Sequence, residues 1–186
     1  MHILKKGLRA LGIAESYTGR LVSRLAGVVM RKDLRIDGFT FSTVSVGGMD
    51  ATSSILRMVD QLKRRDINVI MLSGCVIAWF NIINPARIAE ETGIPVICVT
   101  YEDSEGLIAD IRHHFPYDNA RISAYENLGE RTPVELHTNQ TIFIRWWNLD
   151  QRDAARLCND FTLEGKIPEP LRVARLCARQ SLYSES

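Results

Sequence analysis

The chain has 186 residues, 46% of them hydrophobic and 24% charged, and a formal net charge of +1. This composition describes one ordinary globular domain, and the near-neutral charge excludes capture of nucleic acid by a global basic field. No segment approaches the ~20 apolar residues of a membrane span and the amino terminus does not read as a signal peptide, so a cytoplasmic location away from membranes is expected.

Residues 7 to 14 read as a first buried strand that runs into Glu15, Ser16 and Tyr17, with Gly19 breaking the run. "LVSRLAGVVMRK" and "LRIDGFTFSTVSV" follow as two strands rich in β-branched and aromatic residues, with Lys32-Asp33 at a tight turn between them. The period then changes. In "GGMDATSSILRMVDQLKRRD", Ile55, Leu56, Val59 and Leu62 form a helical stripe, with Asp50 or Thr52 as N-cap and basic residues in the last turn. "INVIMLSG" is the continuous apolar run of a central parallel strand. "NPARIAEETG" is a short helix with Asn84 as N-cap, Pro85 at its first position and Gly93 closing it, and "IPVICVT" is the next buried strand.

Between these two strands, Trp79 and Phe80 of "AWFNIIN" fall in a turn and need a cover, either a neighbouring helix or a ligand or subunit. The stretch from "SEGLIADIRHHF" to "AYENLG" reads as helical, with His113 and His114 on its surface. An extended piece around Val134 to His137 and a strand "TIFIRWWN" come next, then helices in "LDQRDAARLCNDF" and "PEPLRVARLCARQ"; the last six residues are expected to fray. Cys75, Cys98, Cys158 and Cys177 form no CxxC pair and read as buried free thiols. The densest basic groups, Arg31, Lys32 and Arg35 and then Lys63, Arg64 and Arg65, suit solvated turns and helix ends. The order of elements gives an α/β fold with a mixed sheet in a single domain over residues 1–186.

Four segments resemble the endonuclease V branch of the RNase H-like superfamily, and more closely a largely archaeal family related to it. They are "LGIAESY", "LRIDGFTFSTVSVGGMDAT", "VIMLSGCVIAWFNIINPARIAEETGIPVICVT" and "KIPEPLRVARLCAR", spread from about residue 7 to 179. The resemblance implies three antiparallel strands at the start of the sheet, followed by parallel strands flanked by helices. It also implies a nuclease site of carboxylates around Mg²⁺ or Mn²⁺, because such hard ions take oxygen ligands.

Carried over residue by residue, the pattern is altered. The metal-binding Asp of the first strand falls at Ala14, with Glu15 directly after it, and the acid at the helix start is matched by Asp50. The Asp at the end of the next strand falls at Ser73, and Trp147 stands where the resemblance implies a catalytic histidine. Glu15 and Asp50 remain the candidate catalytic and metal-binding acids, with Asp37 or Asp150 as a third. Tyr17, Lys63 and Arg64 are candidate nucleic-acid contacts. The expectation is a degenerate endonuclease V-like protein that needs no cofactor and keeps a nucleic-acid cleft. The alternatives are an active metal-dependent endonuclease on DNA or RNA, and a module that binds a small molecule, a protein or a second copy of itself.

Overall fold

The computed structural model describes residues 7–17 and 21–181. In chain order the elements are β1 (Arg9–Ser16), β2 (Val22–Arg31), β3 (Ile36–Ser45), α1 (Ala51–Leu62), β4 (Val69–Ser73), β5 (Val76–Ile77), β6 (Asn81–Ile82) and α2 (Pro85–Thr92). They continue with β7 (Val96–Thr100), α3 (Ile108–His114), α4 (Asn119–Glu126), β8 (Thr132–Glu135), β9 (Thr141–Trp147), α5 (Gln151–Asp160) and α6 (Glu169–Ser181).

Seven strands form one mixed sheet in the order β3-β2-β1-β4-β7-β9-β8. β1, β2 and β3 pair antiparallel, β4 joins β1 and β7 joins β4 in parallel, and β9 and β8 extend the sheet antiparallel. The central strands are buried on both faces, which explains their unbroken apolar sequences. One face packs Leu11, Ile13, Ile70 and Leu72 against Ile55 and Met58 of α1 and Ile88 of α2. The other packs Ala10, Ala14, Met71 and Ile97 against Leu157 and Phe161 of the α5 region and Leu171 and Ala174 of α6.

Gly12 sets the distance between β1 and α6. A Cβ there would lie 2.4 Å from the carbonyl carbon of Pro170 and 2.6 Å from its oxygen, so the helix backbone touches the strand directly. The α2 signals act as expected: Asn84 accepts from the amide of Arg87 at 3.0 Å, and Gly93 closes the helix at φ 67°.

Several local expectations are corrected. β1 continues through Glu15 and Ser16, which pair with Leu25 and Arg24 of β2, instead of ending at Ala14. The β2–β3 connection is longer than a two-residue turn and carries Leu34 at φ 64°. The basic residues Lys63 to Arg65 lie beyond the last turn of α1, which Lys63 closes in the left-handed conformation. Asp50 occupies the N-cap position of α1, but its side chain makes no capping bond; Asn81 Oδ1 accepts from the Ala51 amide at 3.1 Å instead. Trp79 and Phe80 do fall in a turn, and what the sequence did not show is that this turn closes a two-stranded hairpin, β5–β6. Cys75, Cys98 and Cys158 are buried thiols, and Cys177 is half-buried. Gly19 and the residues after Ser181 lie outside the described residues.

Candidate functional site

Alternation along β1 decides the chemistry at its end. Successive strand residues face opposite sides, so Ala14 and Glu15 do not share a face. Ala14 points into the α6 layer, where it offers no ligand atom. Glu15 points to the α1 side and is held there. Ser23 Oγ donates to its Oε1 at 2.5 Å, and the Ala78 amide donates to it from the β5–β6 hairpin. Burial raises the Glu15 pKa, and the bonds from Ser23 and Ala78 only partly oppose that rise.

Asp50 is held as firmly by its neighbours. Its Oδ1 accepts from Asn81 Nδ2 at 2.6 Å, and its Oδ2 from the Ser45 amide at 3.1 Å and the Ser45 hydroxyl at 3.0 Å. Burial pushes its pKa upward, but the bonds from Asn81 and Ser45 outweigh it, leaving the carboxyl below the ordinary value. Glu15 and Asp50 thus both bond to the β5–β6 hairpin, and each is occupied by it.

That hairpin is an organiser which sequence reading missed. Ala78, Trp79 and Phe80 all have left-handed backbones, at φ 42°, 59° and 59°, a conformation costly for residues with a Cβ. Its carbonyls are clamped. The Gly47 amide donates to Ala78 O at 2.8 Å, and buried Arg121 of α4 donates to the carbonyls of Phe80, Gly48 and Gly47. The Arg121 guanidinium also lies 4.0 Å from the centroid of the Phe115 ring. Trp79 is 47% exposed and packs on Phe80 and His114, so its cover is α3 and only partial. The signal for this arrangement was a single arginine, Arg121, between Ala120 and Ile122 in a short helix, and one residue carries no periodicity.

On the α6 face, the carboxyl ends of β1, β4 and β7 meet a different set of groups. In open α/β sheets such ends are where ligands bind. Ser73 lies beside Tyr101, whose buried hydroxyl meets no partner at hydrogen-bonding geometry among the described residues. Burial pushes the Tyr101 phenol up to about 12, so it keeps its proton at neutral pH. The Arg175 guanidinium of α6 sits 5.1 Å from the centroid of the Tyr101 ring. Next to it, a cleft of about 320 Å³ is lined by Glu15, Ser16, Arg175, Leu176 and Arg179. Arg175 and Arg179 are exposed and form no ion pair among the described residues, whereas Arg172 is paired with Glu169 at 2.7 Å.

The other candidates lie elsewhere. Trp147 pairs with Val96 at the start of β7, roughly 13 Å along the strand from Thr100, and packs on the α1 face. Lys63 and Arg64 follow the far end of α1, about 20 Å along the helix from Asp50. Arg64 is paired with Asp37 at 2.7 Å and Asp66 at 2.8 Å, and Arg9 also reaches Asp37 at 2.5 Å. Asp37 is therefore part of a salt-bridge cluster at the opposite end of the sheet, not a third site acid. Asp150 caps α5, accepting from the Asp153 amide at 2.8 Å. Tyr17 is 43% exposed just past β1. Among the described residues, no three His, Cys, Asp or Glu side chains are grouped to hold a metal ion. A divalent metal does not fit the donor set at the α6-side strand ends: position 14 has no ligand atom, Ser73 is neutral, and Glu15 is directed to the α1 side, where its carboxyl is bonded by Ser23 and Ala78 and that of Asp50 by Asn81 and Ser45.

The fold and the strand-end cleft define an endonuclease V-like scaffold. A crystal structure of endonuclease V from Ciona intestinalis, in complex with a 24mer DNA containing an inosine followed by a ribo-adenosine, superposes with a TM-score of 0.66 at 16% identity, over 98% of this chain and 89% of that one. A protein of unknown function from Archaeoglobus fulgidus superposes with a TM-score of 0.84 at 27% identity, over 95% and 99% of the two chains. Residues 6–182 match the family described as endonuclease dU, and the chain belongs to that family. Among its relatives, a UPF0215 protein of Pyrobaculum calidifontis is 39% identical over 173 residues, covering 90% of this chain and 93% of the relative.

Proposed function

We propose that this protein binds nucleic acid in the strand-end cleft without cleaving it by a divalent-metal mechanism. The carrying observation is the parity of β1. On the α6 side β1 presents Ala14, buried beneath the helix, while the carboxylate of the next residue, Glu15, is directed to the α1 side and bonded by Ser23 and Ala78. Ser73 repeats the loss at the end of β4, since a neutral hydroxyl is a poor ligand for a hard cation. The family description as an endonuclease, and the inosine-containing DNA bound by the Ciona intestinalis enzyme, support nucleic acid as the ligand class.

The test uses labelled DNA and RNA oligonucleotides containing deoxyuridine or inosine, with Mg²⁺ or Mn²⁺. Binding is expected at low salt, weakening as salt rises, with no strand scission. Metal-dependent cleavage that disappears in Glu15→Gln or Asp50→Asn would establish the nuclease alternative instead. Absence of binding at low salt would remove nucleic acid from the account.

A further inference from the structure

We infer that the cleft beside β1 and α6 is an anion site, in which Arg175 and Arg179 receive a phosphate group directly. This rests on the nucleic-acid reading above and gives it a point of contact. A carboxylate-lined site at these strand ends would attract a cation and hold phosphate through it. Here the two strand-end positions that the resemblance assigns to acids are Ala14, buried in the α6 layer, and Ser73, and the adjoining cleft past the end of β1 receives two guanidinium groups from α6. The sign of the cleft is therefore suited to the phosphate itself.

Four observations support that assignment. Arg175 and Arg179 stand one helical turn apart on the same side of α6, so both forks reach the same cleft. Neither is engaged by a carboxylate among the described residues, unlike Arg9, Arg64, Arg121 and Arg172. Glu15 borders the cleft at the end of β1, but its carboxyl is directed to the α1 side and bonded by Ser23 and Ala78. Arg175 is steadied over the Tyr101 ring, and the buried Tyr101 hydroxyl behind it, beside Ser73, meets no partner at hydrogen-bonding geometry among the described residues. Planar guanidinium forks match phosphate oxygens in pairs, and a stacked guanidinium has less freedom to lose on binding. The volume of about 320 Å³ accommodates a phosphate with an attached sugar.

The phosphate could belong to a nucleic-acid backbone or to a free phosphate species, and the experiment separates the two. A fluorescein-labelled single-stranded oligonucleotide is titrated against the wild type, against Arg175→Gln with Arg179→Gln, and against Lys63→Gln as a basic change at the other end of α1. Inorganic phosphate is added in a parallel arm, with the Arg175 side-chain resonance followed by NMR. The expected result is at least tenfold weaker binding for the double variant, a salt slope lower by about two, and little change for Lys63→Gln. Both arginines are exposed, and an unchanged thermal midpoint verifies the fold. Wild-type binding that the double variant retains would overturn the anion site while leaving the nucleic-acid reading in place. No oligonucleotide binding, with phosphate still perturbing Arg175, would retain the site, assign it to a free phosphate species and overturn the nucleic-acid reading. No response in either arm would overturn both.

Discussion

At the scale of single residues, Glu15 shows how one step along a strand changes a function. Its carboxyl is held above the ordinary value chiefly by burial, so the folded state retains a proton that the unfolded chain releases. The stability this contributes is present below the ordinary glutamate pKa and lost as pH rises through the folded value. The variant Glu15→Gln should gain in thermal midpoint relative to the wild type as pH is raised from 4 to 7; a constant difference would contradict the assignment. The sequence made Ala14 and Glu15 visible, and alternation predicted that they could not exchange roles. It did not show that β1 runs on to Ser16, because the polar Glu15 and Ser16 look like the end of a strand. Their partners, Ser23 and the Ala78 amide, come from elsewhere in the chain.

At the scale of elements, the apolar runs of β4 and β7 and the capping signals of α2 were legible because each rests on neighbouring residues. The β5–β6 hairpin was not, since its left-handed turn has no glycine and depends on Arg121, which is 41 residues away from Phe80. The contact between α6 and β1 was equally hidden, although Gly12 was plain in the sequence. Gly12→Ala would force a methyl into the Pro170 backbone, and overpacking of this kind costs roughly 1–3 kcal/mol. Urea denaturation should show that loss, with a midpoint unchanged from the wild type counting against so close an approach. Because α6 carries Arg175 and Arg179, the same substitution should also weaken oligonucleotide binding.

At the scale of the molecule, a net charge of +1 conceals two distinct ends of the sheet. At one end three arginines are neutralised: Arg9 and Arg64 share Asp37 and Asp66, and Arg31 pairs with Asp33. At the other, Arg175 and Arg179 stand without such partners among the described residues. Within the basic run Lys63 to Arg65, it is Arg64 that carboxylates fold back onto, which spacing along a chain could not show. The Arg64 guanidinium holds the Asp66 carboxyl at about 2, below its ordinary value. Stability from this depressed carboxyl is present above the unfolded pKa and lost as pH falls through about 2. A thermal series from pH 5 to pH 2 should fall less steeply for Asp66→Asn than for the wild type.

The clamp of Arg121 on the Ala78–Phe80 turn also has a consequence for motion. A turn in this conformation persists only while its carbonyls are held, so the hairpin cannot outlive the docking of α4. Undocking of α4 would release the Phe80, Gly47 and Gly48 carbonyls together, and with them the Ala78 amide that reaches Glu15. Hydrogen exchange should therefore find the amides of Gly47 and Ala78 opening with the amides of α4, at one common free energy. Exchange of the Ala78 amide independent of α4 would show that the turn stands by itself. If the opening is shared, the far side of the sheet from the cleft behaves as one cooperative unit, and the freedom of the half-buried glutamate is set by a helix that begins more than a hundred residues after it.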